Sequence, residues 1–435
     1  MALSVLLLVV LLILLTINFY WINKNQWKKV FCLFFSLLLL IPVEAHGIIS
    51  GAPYSTPGLL NLSLAGYDII LVIISTIFTR KKIKNITKHK FISVILCIAV
   101  IIGMRFLVDG ISAPSNKMFD NYCLPIAGAL IMANFLELED LRQVLKYVYF
   151  LIFINGIFAC IEYFVGQSLF FHNYYSNNAP WYNNIYNSTT YGVAFRSTAL
   201  LGHPLINGIY YLIGIAYLYN KTKMKFNIPS LIQMGILAFA VFSTNSRMAI
   251  VAFLIYTLIM LLKEKRIGKI LLLTLFIIFL VVKVDFVEVY MNIFSRDSNG
   301  SSFLVRVAAL TNFSKVPFLT LIVGTGFNNT EQVLNLLGFT SNLEISFLII
   351  LLENGIIAFI VWIKALSALY KKNMISEYKG IKLKSMINGM ICCFLALAAT
   401  SNSIGDPGTL NYTLFSIMAF SFISSKKEIK DEGEI

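Results

Sequence analysis

Five arginines offer the most chemistry in this chain. Lysine is its default cation: only eight of the 35 Lys and Arg residues are arginine. Arg80, Arg142 and Arg266 sit among the lysine clusters, whereas Arg105, Arg196, Arg247, Arg296 and Arg306 lie within or beyond apolar stretches. Guanidinium is a rigid planar fork that matches phosphate, which an ammonium group does not. Cations at membrane depth are costly and mark functional sites. The chemistry implied is the holding of an anionic group, a phosphate foremost.

Local context sharpens the candidates. Arg196 opens Arg196-Ser197-Thr198-Ala199-Leu200-Leu201-Gly202-His203-Pro204. If this stretch is helical, Arg196 and His203 share a face, and Pro204 suits a helix start just after His203. Thr198 lies between them as a supporting hydroxyl. The competing reading is an arginine snorkelling to headgroups and a capping histidine. Ser243-Thr244-Asn245-Ser246-Arg247 could form a phosphate nest at a helix N-terminus, with Ser246 in support; ordinary capping is the alternative. Arg105 stands four residues before Asp109, the spacing of a structural ion pair, and is also a supporting candidate. Arg296 and Arg306 share one long connection.

The candidate base is Glu344, at the start of an apolar segment, where partial burial would raise its affinity for a proton. A helix-dipole carboxylate is the plainer alternative. Glu353 lies nine residues on, on roughly the opposite helix face, so the two do not form a glycosidase-type pair. It reads as a structural carboxylate. The Tyr- and Asn-rich stretch 172–191 could line a sugar groove or form an interfacial aromatic belt. Gly324-Thr325-Gly326 is a lone GxG that follows no strand of a βαβ unit and carries no nucleotide-binding weight. The four histidines and six cysteines show no metal-ligand spacing, so no metal and no cofactor are expected.

These residues must be positioned by membrane helices. The chain is 58% hydrophobic and 13% charged, with a mean hydropathy of +0.79. That excludes a soluble domain and predicts an all-α polytopic bundle. The net charge of +14 comes mostly from short lysine clusters that set topology and face anionic lipid, so nucleic acid is not an expected partner. Reading the apolar runs gives about 13 spans: 2–22, 30–43, 59–79, 91–108, 119–135, 147–165, 204–220, 228–243, 248–262, 270–284, 345–363, 385–401 and 409–424. Lys24, Lys28 and Lys29 before the second run resemble a signal peptide, but an apolar segment precedes it and many follow, so it reads as a retained span. The basic connections are 23–29, 80–90, 136–146, 220–227, 263–269, 364–384 and the tail 425–435. The positive-inside rule then puts the N-terminus outside, the C-terminal tail in the cytoplasm and all five special arginines in the outer half. Two outer loops are long, 166–203 and 285–344, within a single integral membrane domain of residues 1–435. Large loops on one face suit an enzyme acting there, and no internal repeat marks an inverted-repeat transporter.

With these features in place, the chain resembles the O-antigen polymerase and O-antigen ligase superfamily of bacterial membrane glycosyltransferases. The resemblance covers roughly residues 140–365. It rests on Arg196-Ser197-Thr198 with Gly202-His203-Pro204, on Ser246-Arg247, on Gly324-Thr325-Gly326-Phe327, and on Glu344-Ile345-Ser346-Phe347-Leu348 through Glu353-Asn354-Gly355. Each piece is short; their order and spacing tell more together. The resemblance implies a GT-C-like bundle acting on undecaprenyl-diphosphate-linked oligosaccharide at the outer face of the cytoplasmic membrane. It implies that arginines at the positions of Arg196 and Arg247 handle the donor diphosphate, and it makes a chain-length regulator a further partner beside membrane lipid. The ligases commonly carry His-Asn where this chain has Glu344-Ile345, which favours a polymerase. The expectation is a metal-independent repeat-unit polymerase in which Arg196 and Arg247, with Arg296 or Arg306, stabilise the leaving diphosphate while Glu344 or His203 orients or deprotonates the acceptor. The alternatives are a ligase-like transferase and a transporter of lipid-linked glycan or anions.

Overall fold

The computed structural model describes residues 5–42, 62–81, 86, 88–109, 118–170, 195–223, 225, 227–263, 311–326, 346–398 and 409–425. The described residues are predominantly helical and contain no strand. In chain order the helices are α1 (Val5–Asn23), α2 (Trp27–Leu40), α3 (Leu64–Phe78), α4 (Lys88–Asp109), α5 (Leu124–Phe135), α6 (Leu138–Val165), α7 (Pro204–Thr222), α8 (Ile228–Ser243), α9 (Arg247–Lys263), α10 (Phe318–Val323), α11 (Ser346–Leu369), α12 (Leu383–Ala398) and α13 (Thr409–Ile423). Every apolar segment expected from the sequence falls on a helix except 270–284, which lies outside the described residues. The stretch 172–191 and the tail from 426 lie outside them too.

Several of these helices carry their own start or stop. Ser63 caps α3 by accepting from Gly66 N. Asn227 caps α8 by accepting from Ser230 N, with a proline in the first turn. Lys223, at φ 51°, ends α7 in the left-handed region. Three helices are long and apolar enough to cross a membrane: α1, α6 and residues Phe347–Leu369 of α11. Their outward faces stay apolar. Val5 is 78% and Phe164 77% exposed, which suits lipid and not water. The protein is a helical membrane protein.

The chain divides into two compact units. The first comprises residues 1–151, 311–378 and 401–435. In it α13 packs on α5, α4 on α11, and α1 on α3. A buried carboxylate, Asp120, joins three elements at one end. It accepts from Ser63 N (2.6 Å) and Ser63 Oγ (2.8 Å) at the start of α3, and from Tyr412 OH (2.9 Å) at the start of α13. The opposite end is joined by Lys28 Nζ to Gln143 (2.6 Å), Lys81 Nζ to Asn25 (2.7 Å) and Tyr378 OH to Glu139 (3.3 Å).

The second unit comprises residues 152–310 and 379–400. Its axis is α7, buried on all sides from Ile206 to Asn220, as a helix at the centre of a bundle must be. Helices α8, α9 and α12 surround it. Gly208 lets α9 approach closely: a Cβ there would meet the Ala249 methyl at 2.9 Å. Small residues at such crossings are how membrane helices gain packing energy. This crossing seats the first turn of α9 against the first turn of α7, which positions the site described next.

Candidate functional site

At one end of the second unit, the last turns of α6 and α8 meet the first turns of α7 and α9. Between them runs the segment Phe195–His203. A side chain absent from the sequence candidates organises it. Glu162, in the last turn of α6, is fully buried. Its Oε2 accepts from Ser197 Oγ (3.0 Å), Thr198 N (3.0 Å), Thr198 Oγ1 (3.4 Å) and Ala199 N (2.7 Å). Its Oε1 accepts from Leu169 N (2.9 Å). The local backbone explains the geometry. Thr198 is right-handed (φ −100°, ψ −22°) and Ala199 left-handed (φ 41°). That succession turns consecutive N–H groups toward one point, the concavity that proteins use for anions. Here the anion is the protein's own carboxylate.

An amide network backs the same turn. Leu200 N donates to Asn155 Oδ1 (2.9 Å), Asn155 Nδ2 to Asn207 Oδ1 (2.8 Å), and Asn207 Nδ2 to Thr198 O (2.5 Å). Asn155, Asn207 and Thr198 are all buried in an apolar bundle, where each such bond counts because the donors have no water to fall back on.

The opposite edge of the segment is clasped by the turn between α8 and α9. Ser197 N donates to Ser243 O (2.9 Å) and Asn245 Nδ2 to Phe195 O (3.1 Å). The Arg196 guanidinium joins them, its Nε donating to Thr244 O (3.0 Å). Thr244 stands three residues before Arg247, the first residue of α9. Arg196, in this non-helical segment, and the backbone of Arg247, at the start of α9, thus meet at one turn; the Arg247 side chain lies outside the described residues. The hydroxyls of this turn serve its own backbone: Thr244 Oγ1 donates to Val241 O (2.7 Å) and accepts from Ser246 N (3.3 Å), and Ser246 Oγ accepts from Ala249 N (3.3 Å).

His203 is the N-cap of α7, and its Nδ1 accepts from Leu205 N (3.3 Å). A neutral imidazole that accepts at Nδ1 carries its proton on Nε2, so the ring presents an N–H donor. Burial, reinforced by the Arg196 guanidinium, pushes its pKa down from 6.5 to about 4. The folded state therefore holds a neutral ring where the unfolded chain takes up a proton. Stability from this group is complete above pH 6.5 and is lost as pH falls toward 4. His203→Asn keeps a capping acceptor and removes the titrating ring. It is expected to flatten the loss of thermal stability between pH 6.5 and 4, measured by the melting of the detergent-purified protein across that range.

A second polar cluster lies in the first unit. Arg105, 2% exposed, donates from Nη2 to Val323 O (2.9 Å); the side chain of Asp109 lies outside the described residues. Gly355 (φ 76°, ψ 165°) breaks α11. The segment Val323–Gly326 fills the break, with Thr325 N donating to Leu352 O (2.8 Å) and Gly326 N to Glu353 O (3.2 Å). Tyr122 OH donates to Glu353 Oε2 (3.4 Å). The GxG, chemically silent by sequence, is thus the clamp of a broken helix.

Of the sequence candidates, Arg196, Thr198, His203, Ser246 and the backbone of Arg247 come together in the second unit, and Arg105 belongs to the first. Arg296, Arg306 and Glu344 lie outside the described residues. Glu162 gives one sign of itself in the sequence, an acid inside an apolar segment, which marks a functional site by default. The sequence matches no protein-family model, no curated protein and no solved structure.

Proposed function

We propose that the protein is a polysaccharide repeat-unit polymerase of the cytoplasmic membrane, acting at its outer face on undecaprenyl-diphosphate-linked glycan. The observation that carries this reading is the hold of Arg196 on Thr244 O, which places its guanidinium on the turn that opens into Arg247. A guanidinium fixed by backbone is what a diphosphate leaving group requires when charge must already be in place, and the sequence puts a second one at Arg247, three residues beyond Thr244. A hydroxyl of the non-reducing sugar of one lipid-linked unit attacks C1 of the reducing sugar of the growing chain. The C1–O bond to the diphosphate breaks, undecaprenyl diphosphate leaves with the electron pair, and the hydroxyl proton passes to a base, for which Glu344 stands in position by sequence. His203 acts as a donor through Nε2–H and steadies the departing oxygens.

The alternation of the spans has support in how helix ends meet, its direction coming from the lysine pattern. In the first unit, ends assigned by the lysine pattern to the cytoplasm join one another through Lys28–Gln143, Lys81–Asn25 and Tyr378–Glu139. Those assigned outside join through Asp120 with Ser63 and Tyr412. In the second unit, Lys263–Ser385 lies at ends assigned inside, and Glu162–Ser197 and Arg196–Thr244 at ends assigned outside. About 13 alternating spans fit these contacts.

One observation favours a second reading. A helix broken at a glycine beside a buried glutamate, as at Glu353–Gly355, is an arrangement that transporters use. The purified protein in nanodiscs, given lipid-diphosphate oligosaccharide, separates the two. Polymerase activity yields glycan longer than one unit and one undecaprenyl diphosphate per new linkage, with no other protein present. No elongation in nanodiscs, together with movement of the same substrate across a proteoliposome bilayer, overturns the polymerase.

A further inference from the structure

The first long loop departs from α6 and returns at Phe195. Both of its ends are fastened to one carboxylate. Glu162 Oε1 takes Leu169 N on the outgoing side, while Oε2 takes Ser197, Thr198 and Ala199 on the returning side. Leu169 and Ser197 are 28 residues apart in sequence, and holding the ends of such a loop together costs closure entropy, which Glu162 offsets by binding both. The returning end is where the arginine sits, one residue before the first of the three. We infer that Glu162 is the positioning residue of Arg196: it staples the base of the loop and, through Ser197–Ala199, sets where the guanidinium meets the diphosphate. The inference rests on the polymerase reading for its ligand, and on the hydrogen bonds alone for the staple.

The chemistry requires a carboxylate. Every partner of Glu162 is a donor, and an ionised carboxylate is acceptor-only on both oxygens. Glutamine is the same size but carries one acceptor and one amino group. With its oxygen toward Thr198 and Ala199, its NH2 faces the N–H of Leu169, and one end of the staple opens. Alanine opens both. Aspartate keeps two acceptor oxygens on a stem one methylene shorter, so it can serve the returning end alone. The expected order of function is Glu above Asp and Gln, with Ala last. Misplacing a catalytic group by about 1 Å costs on the order of a hundredfold in rate.

The test has two arms on the full-length protein in nanodiscs. The first is hydrogen exchange at the Leu169, Thr198 and Ala199 amides, which needs no substrate. Glu162→Gln is expected to release Leu169, and Glu162→Ala all three, with the amides of α7 unchanged; protection unaltered at all three in both variants overturns the staple. The second arm measures turnover of lipid-linked repeat units and inhibition by inorganic pyrophosphate. Glu162→Ala is expected to slow turnover about a hundredfold and weaken pyrophosphate inhibition in wild-type background, but to add less than about threefold on top of Arg196→Lys, because a residue that works through Arg196 has nothing left to position. Full additivity overturns the positioning role. Should Arg196→Lys itself leave both turnover and inhibition intact, the diphosphate-holding role of Arg196 falls and with it the positioning role; no turnover by the wild type sinks the polymerase reading instead, and the exchange arm still decides the staple. If the alanine variant does not fold, the glutamine variant carries both arms through Leu169.

Discussion

Arg196→Lys and Arg247→Lys are each expected to keep the charge and lose most of the polymer. The ladder of glycan lengths on a gel should collapse to one or two units, and turnover should fall about 10²–10³-fold, the usual cost of removing one positioned donor from a site that stabilises a leaving oxyanion. The reason is the number and direction of donors. Guanidinium can give Nε–H to a backbone carbonyl, as Arg196 does to Thr244 O at 3.0 Å, and its terminal nitrogens still form a two-pronged face shaped to phosphate. Ammonium has three donors around one point; if it reaches Thr244 O it can no longer meet two phosphate oxygens in a plane. Arg142→Lys serves as the control. Arg142 pairs with Glu139 at 3.3 Å on an exposed helix turn, a kind of contact worth little, and the substitution should leave the ladder unchanged. A full ladder from either of the first two variants sinks the argument from the planar fork.

How much of the fold and the site can be read in the sequence follows from the kind of interaction involved. The helices are legible because apolar run length and capping residues are local: Asn227 and Ser243 bound the apolar run 228–243, and α8 covers Ile228–Ser243. The start of α7 after His203 is legible for the same reason, since Pro204 suits a first turn. The expected helical face shared by Arg196 and His203 does not form. Ala199 and Gly202 both take positive φ, so the stretch is a looped turn, and the two side chains are neighbours by folding back and not by helical spacing. That departure depends on Glu162, 34 residues before Arg196, and no local pattern announces a carboxylate that will be met by backbone amides. Asp120 is a second case: its partners Ser63 and Tyr412 come from distant parts of the chain. Buried acids in apolar segments are visible in the sequence as anomalies, but their partners are backbone groups and hydroxyls, which look alike everywhere. The GxG of 324–326 is illegible in the same way. Its role is a contact with Glu353–Gly355, and contact between two glycines leaves no mark on either.

Gly324→Ala is expected to be among the most damaging single-methyl additions in the protein, costing about 3 kcal/mol or more. Gly324 has φ 88° and ψ 166°, a region closed to residues with a Cβ, at a strain of about 1–3 kcal/mol. The new methyl would also have nowhere to go: its Cβ would lie 2.7 Å from both Asn354 C and Gly355 N. These are backbone atoms, which cannot swing aside as a side-chain tip can. Gly355→Ala meets the reciprocal obstacle, with Val323 C at 2.5 Å and Gly324 N at 2.6 Å. Either change pushes the segment out of the break in α11 and releases Thr325 N from Leu352 O and Gly326 N from Glu353 O. Backbone groups freed inside an apolar bundle find no water, so each lost bond costs several kcal/mol. Arg105 loses its acceptor at Val323 O in the same step. Gly103→Ala separates this effect from the general consequence of replacing a glycine in a membrane helix. Gly103 lies in α4 with open space around its Cβ position, and alanine there should stabilise by up to about 1 kcal/mol. Heating the detergent-purified variants and following the monodisperse peak by size exclusion should place Gly103→Ala at or above wild type, with Gly324→Ala and Gly355→Ala well below it. Equal melting of all three would mean that the two glycines do not interlock, and that the break in α11 is held by something other than the segment that fills it.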